Sequence, residues 1–134
     1  MMDNPSMAAA RRVLVVDDSR VVRKIARGML ETAGFAVDEA GDGAEALNRL
    51  RACPVDAVLL DWNMPVMNGI ECLRGLRAEF GDNNPVVILC TTENDPGFIV
   101  SAIEAGAQEY IMKPFDEAIL LGKFAQLGLL GACA

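Results

Sequence analysis

Histidine is absent from the 134 residues. That excludes histidine-based acid–base catalysis, zinc sites that need imidazole, and phosphorylation of the chain on a histidine of its own. The four cysteines (Cys53, Cys72, Cys90 and Cys133) are widely spaced and form no C-x-x-C pair, which argues against a zinc ribbon or a dithiol redox centre. Residues Met1 to Ala10 hold no apolar core of signal-peptide length. The thiols are therefore expected to be reduced, in a cytoplasm. Basic residues number 12 against 19 acidic ones, a net charge of −7, so a general nucleic-acid binder is excluded. No glycine-rich phosphate loop follows the first apolar run, which disfavours P-loop and dinucleotide folds. Long hydrophobic runs are missing as well. The most apolar stretch, 118–134, is broken by Gly122 and Lys123 and is too short to span a bilayer.

What remains is the balance of one globular domain, 52% apolar and 23% charged. Residues 1–11 lack periodicity and read as a loose leader. Beyond them, short β-branched runs at Val13–Val16, Phe35–Val37, Ala57–Leu60, Val86–Cys90 and Tyr110–Met112 predict strands buried on both faces. Amphipathic stretches separate them. Val22, Ile25, Met29 and Ala33 recur at helical spacing, as do Ala46, Leu47 and Leu50, then Ile70, Leu73 and Leu76, then Ile99 and Ile103. A last helix begins near Asp116. Gly34 suits a helix C-terminus, Asp42-Gly43 a turn, and Pro96 a first helical turn. This is an α/β chain of the (βα)₅ kind, with a parallel sheet, right-handed crossovers and helices on both faces. The domain is expected over 12–128, with a tail at 129–134.

In such sheets chemistry collects at the carboxyl ends of the strands. The first strand runs into Asp17-Asp18, the third into Asp61, the fourth into Thr91-Thr92 and the fifth into Lys113-Pro114. Taken singly, each has an ordinary reading. Asp18 or Ser19 could cap a helix, Asp61 could end a turn, Thr91 could be a strand residue, and Lys113 could be solvated. Taken together they do not. Three carboxylates on one rim repel by about 4 kcal/mol per close pair at an effective dielectric near 20, so a cation is required. Oxygen-only ligands point to a hard ion such as Mg²⁺. The set suits phosphoryl transfer to a carboxylate: a nucleophile, a metal site, a hydroxyl and an ammonium.

The motifs VLVVDDS (13–19), DAVLLDWNMPVMNG (56–69), VILCTTE (87–93) and EYIMKPF (109–115) resemble the receiver domain of two-component response regulators, over residues 12 to 128. The tyrosine three residues before the lysine, together with DWNMP, is most similar to the stand-alone, CheY-like chemotaxis type. The resemblance implies a flavodoxin-like sheet of strand order 2-1-3-4-5. It implies that Asp61 accepts a phosphoryl group from a histidine kinase or a histidine phosphotransfer protein. Asp17, Asp18, Asp61 and the backbone carbonyl of Asn63 would hold Mg²⁺. Lys113 would pair with the phosphoryl group, across a cis Lys113–Pro114 peptide, and Thr91 would move toward it. Tyr110 would be an aromatic switch. An output protein would bind the face of the fourth helix, fifth strand and fifth helix, through Ile99, Ile103, Tyr110, Met112 and Lys123. Asn63 and Glu93 would flank the path of the hydrolytic water.

Two features depart from the enteric chemotaxis pattern. Thr92 stands where alanine is frequent, and Asp95 and Pro96 stand where lysines begin the fourth helix. The cluster Arg11, Arg12, Arg20, Arg23, Lys24 and Arg27 is either a solvated helix face or a docking face for an acidic partner. No output domain is expected to follow, so signalling would proceed by phosphorylation-dependent protein binding, by a monomer, in chemotaxis or motility control. Alternatives are a phosphate sink or phosphorelay intermediate and, in other classes, a Mg²⁺-dependent phosphatase with an aspartate nucleophile or a flavodoxin-like cofactor binder.

Overall fold

The computed structural model describes residues 11–64, 67–92 and 96–129. Five parallel strands, β1 (Arg12–Val16), β2 (Ala36–Ala40), β3 (Ala57–Asp61), β4 (Val86–Thr91) and β5 (Glu109–Met112), lie in the order β2-β1-β3-β4-β5. Helices α1 (Arg20–Thr32), α2 (Gly43–Ala52), α3 (Gly69–Phe80), α4 (Pro96–Ala105) and α5 (Glu117–Gln126) alternate with them. This is the (βα)₅ architecture expected from the alternation, with the flavodoxin-like strand order that the resemblance implies. Two apolar layers sandwich the sheet. One joins Leu14, Leu60 and Leu89 to Leu47 of α2 and Leu73 and Leu76 of α3. The other joins Val13, Leu59 and Ile111 to Leu30 of α1 and Phe124 of α5. Alternate residues of one strand thus serve opposite layers, which is why the strands read as continuous apolar runs.

The helix boundaries follow from local chemistry. The Ser19 hydroxyl accepts the Val22 N–H at 3.2 Å and caps α1. The Asp42 and Asp116 carboxylates cap α2 and α5. Asn68 and Glu71 form a reciprocal capping box at the start of α3. Gly34 follows α1 with φ +101°, a conformation side chains disfavour. The Lys113–Pro114 peptide is cis, and so is Asn84–Pro85.

Three details differ from the sequence reading. In α1 the buried residues are Ala26 and Leu30, while Ile25 is 54% exposed; small Ala26 lets the helix approach the sheet, and the apolar stripe is rotated toward it. In α4 only Ala102 is buried and Ile103 is exposed, so the isoleucine pair does not mark the inward face. Strand β2 extends through Asp38 and Glu39 to Ala40, because those carboxylates are neutralised by cations from β1 and α1. The leader, apart from Arg11, and the tail beyond Leu129 lie outside the described residues. Leu129 is buried and its N–H bonds to the Phe124 carbonyl.

Candidate active site

Parallel register builds the site in steps. Val16 pairs with Leu60 and Ala40, so Asp17 and Asp61 emerge side by side at the sheet's carboxyl edge. Asp61 pairs with Cys90, the residue before Thr91. Thr91 pairs with Met112, the residue before Lys113. The Lys113 N–H donates to the Thr91 carbonyl at 2.8 Å and holds that edge closed.

Asp17, Asp61 and Thr91 are buried, at 3 to 4% exposure, whereas Asp18 is exposed. Each acid of the trio Asp17, Asp18 and Asp61 offers a carboxylate oxygen within 4.8 Å of the others. The Lys113 ammonium donates to Asp17 at 2.8 Å and to Asp61 at 3.0 Å. The second Asp17 oxygen accepts the Ser19 N–H at 2.9 Å. Because Ser19 performs the capping, Asp18 is left as an acid open to solvent beside two buried ones. This donor set of hard oxygens, one of them accessible, fits a Mg²⁺ ion that retains waters.

Electrostatics distinguish the members. Burial raises the Asp61 carboxyl above its ordinary value; the Lys113 hydrogen bond opposes this and the Asp17 charge adds to it. Burial works against the Lys113 charge, but the hydrogen bonds to Asp17 and Asp61 outweigh it and push the ammonium up to about 12. The lysine is thus a fixed positive charge facing the group that would carry a phosphoryl anion. Burial also holds the neighbouring Cys90 thiol, 3% exposed, up at about 12.

The chain was matched by the model of the response regulator receiver domain over residues 13–125. The chain belongs to the response regulator receiver family. Chemotaxis protein CheY-3 of Vibrio cholerae is 38% identical over 117 residues, 87% of this chain and 90% of that protein. Response regulator MprA of Mycolicibacterium vanbaalenii is 40% identical over 87% of this chain but only 49% of its own length. Among solved structures, chemotaxis protein CheY4 of Vibrio cholerae superposes with a TM-score of 0.83 at 32% identity, covering 87% of this chain and 98% of that one. Family membership favours the receiver reading over the phosphatase and flavodoxin-type alternatives. Receiver domains of this family bind Mg²⁺ at the acidic pocket and interact with histidine kinases or phosphotransfer proteins.

The remaining residues named from sequence are spread over the adjoining face. Tyr110 is half-buried against the α2–α3 side of the core. Lys123 lies 5.4 Å from its ring centroid and 3.5 Å from Glu109. Ile99 and Met112 are half-buried, and Ile103 is exposed. Asn63 is exposed, and its backbone N–H bonds to the Asp61 carboxylate. Glu93 and Asp95 lie outside the described residues.

Sequence reasoning gave no role to Gly69. A Cβ there would fall 2.6 Å from the Asp61 carbonyl oxygen and 2.8 Å from the Trp62 Cα. The Gly69 N–H also donates to the Trp62 carbonyl at 2.9 Å. The first turn of α3 therefore packs directly behind the acceptor strand. The basic cluster also carries internal ion pairs that its sequence does not show. Arg12 pairs with Asp38, and Arg23, Lys24 and Arg27 converge on Glu39. Four of the six cations are thus paired within the domain, although Arg12, Lys24 and Arg27 remain partly solvated. Neither feature shows in local sequence, because each depends on a partner from another element.

Proposed function

We propose that the chain is a CheY-like receiver, folded over residues 12–128, that accepts a phosphoryl group on Asp61 and signals by binding a protein partner, in chemotaxis or motility control in a bacterial cytoplasm. The observation that carries this is the Lys113 ammonium, bonded to Asp17 and Asp61 at once. It marks where negative charge is concentrated and where more can be accommodated.

In this reading an Asp61 oxygen attacks the phosphorus of a phosphohistidine on a histidine kinase or phosphotransfer protein. The P–N bond breaks, and the imidazole leaves with its electron pair. Asp17, Asp18, Asp61 and the Asn63 carbonyl would hold Mg²⁺, which supplies charge neutralisation at the phosphoryl oxygens. Lys113 holds one phosphoryl oxygen and the Thr91 hydroxyl another. Movement of Thr91 leaves space for Tyr110 to turn inward, which remodels the face of α4, β5 and α5. Ile103 and Ile119, each 48% exposed, supply apolar surface in that region. Asn63, exposed beside Asp61, flanks the path of the water that later hydrolyses the acyl phosphate. The phosphodonor docks beside α1, where Val22, Ile25, Thr92, Lys113, Pro114 and Phe115 line an apolar cavity of about 380 Å³.

The test is labelling by a small-molecule phosphodonor. Wild type should incorporate a base-labile, hydroxylamine-cleavable phosphoryl group, as an acyl phosphate requires, only with Mg²⁺, and Asp61→Asn should incorporate none. Undiminished labelling of Asp61→Asn would move the acceptor elsewhere. Thr91→Ala should still be labelled, yet fail to gain a partner in a beryllofluoride pull-down.

A further inference from the structure

The acid pair at the end of β1 sits on a loop, and a metal site needs its carboxylates held in one geometry. Asp17 is tied through its side chain to Lys113 and to the Ser19 N–H. Its backbone is tied by a residue that the proposed chemistry does not use. One Arg23 guanidinium nitrogen donates to the Asp17 carbonyl at 2.6 Å, and its Nε donates to Glu39 at 3.1 Å. The Arg23 and Glu39 side chains are only 18% and 12% exposed. Lys24 and Arg27, each at 2.8 Å, fix the other Glu39 oxygen. The Asp17 N–H already donates to the Ala40 carbonyl of β2 at 3.1 Å, and the guanidinium adds a second link that fixes the Asp17 carbonyl; Glu39 cannot swing away without leaving cations unpaired.

We infer that Arg23, clamped by Glu39, is a positioning residue that sets the direction in which Asp17 and Asp18 face the metal. The guanidinium suits this because its donors diverge in one rigid plane and can satisfy a carbonyl and a carboxylate together. A lysine ammonium at that place supplies charge but not the fixed bridge. The charge of Arg23 also lies behind three carboxylates, yet the bridge, not the charge, is the claim. The inference rests on the Mg²⁺ reading above, and the experiment separates the two.

Magnesium would be titrated into the full chain while Trp62 emission is followed, below the melting temperature of every variant. In metal-free protein, hydrogen exchange at the Ser19 amide would report the loop itself. Arg23→Ala and Arg23→Lys should both weaken Mg²⁺ binding at least fivefold and speed Ser19 exchange at least fivefold. Glu39→Gln keeps one oxygen for Nε but turns an amide NH₂ toward Lys24 and Arg27, so it should lie between wild type and Arg23→Ala on both, and wild-type values would remove the Glu39 charge from the clamp. Wild-type behaviour in Arg23→Lys would overturn the bridge, as would values within twofold in Arg23→Ala. If wild type shows no response to Mg²⁺, the metal reading fails, and Ser19 exchange alone decides the anchor. Should Arg23→Ala not fold, the lysine variant, which keeps stem and charge, carries the test.

Discussion

The Lys123 ammonium stands 5.4 Å from the centroid of the Tyr110 ring. Glu109 holds the same ammonium at 3.5 Å. The ring proposed as the switch is therefore gripped from α5 in its half-buried position. A cation over a ring at a partly exposed site contributes about 0.5 to 1 kcal/mol. Lys123→Ala should shift the Tyr110 conformational balance by about twofold to fivefold at that energy. Fluorine NMR of 3-fluorotyrosine, at the one tyrosine of the chain, reads this directly. An unchanged spectrum, with and without beryllofluoride, would remove Lys123 from the switch.

Asp18 is the accessible member of the acidic trio. Asp18→Ala should weaken the Mg²⁺ response of Trp62 emission by about tenfold or more, since it removes a hard oxygen donor. Trp62 follows the acceptor directly and meets Phe98 edge-on at 5.0 Å, so its emission senses both the site and α4. Because Ser19 caps α1, thermal stability should hardly change. A response equal to wild type would leave the pair without a metal role.

Gly69→Ala pushes a methyl group against the Asp61 carbonyl and the Trp62 backbone. Either the first turn of α3 or the acceptor strand must yield, at about 1 to 3 kcal/mol for an overpacked interior site. Urea denaturation should show the loss, and phosphodonor labelling should slow in step. Full stability and full labelling together would show that the contact relaxes freely.

Glu39 gives a pH prediction. Burial raises its carboxyl, but hydrogen bonds from Lys24, Arg27 and Arg23 prevail and hold it at about 2. A depressed carboxyl contributes stability above its unfolded value, near 4.3, and that contribution is lost as pH falls from about 5 toward 2. With Lys24 and Arg27 partly solvated, screening reduces the contribution to about 1 to 2 kcal/mol. Denaturation midpoints from pH 7 to pH 3 should fall more steeply for wild type than for Glu39→Gln. Parallel profiles would show that the cluster does not hold the carboxylate ionised.

Sequence by itself determined the alternation of strands and helices. The continuous runs Val13–Val16 and Ala57–Leu60 can be satisfied only between two apolar layers. It also determined which side chains reach the carboxyl rim, since Asp17, Asp61, Thr91 and Lys113 each end or follow a strand, and parallel strands share one edge. The cap of α1 was narrowed to Asp18 or Ser19, because a cap is a contact across three residues, while the Asp42 cap and the Asn68–Glu71 box went unread. Tertiary structure alone decided the rest. That Lys113 bonds Asp17 and Asp61 together follows from register between strands up to 96 residues apart. That α1 buries Ala26 and turns Ile25 outward follows from how closely the helix lies on the sheet, which periodicity does not specify. That Arg23 bridges β1 to β2, and that Gly69 lies against Asp61, follows from packing between elements. Local propensity acts over a few residues, whereas these contacts exist only once distant segments have been brought within a few ångströms by the burial of the core.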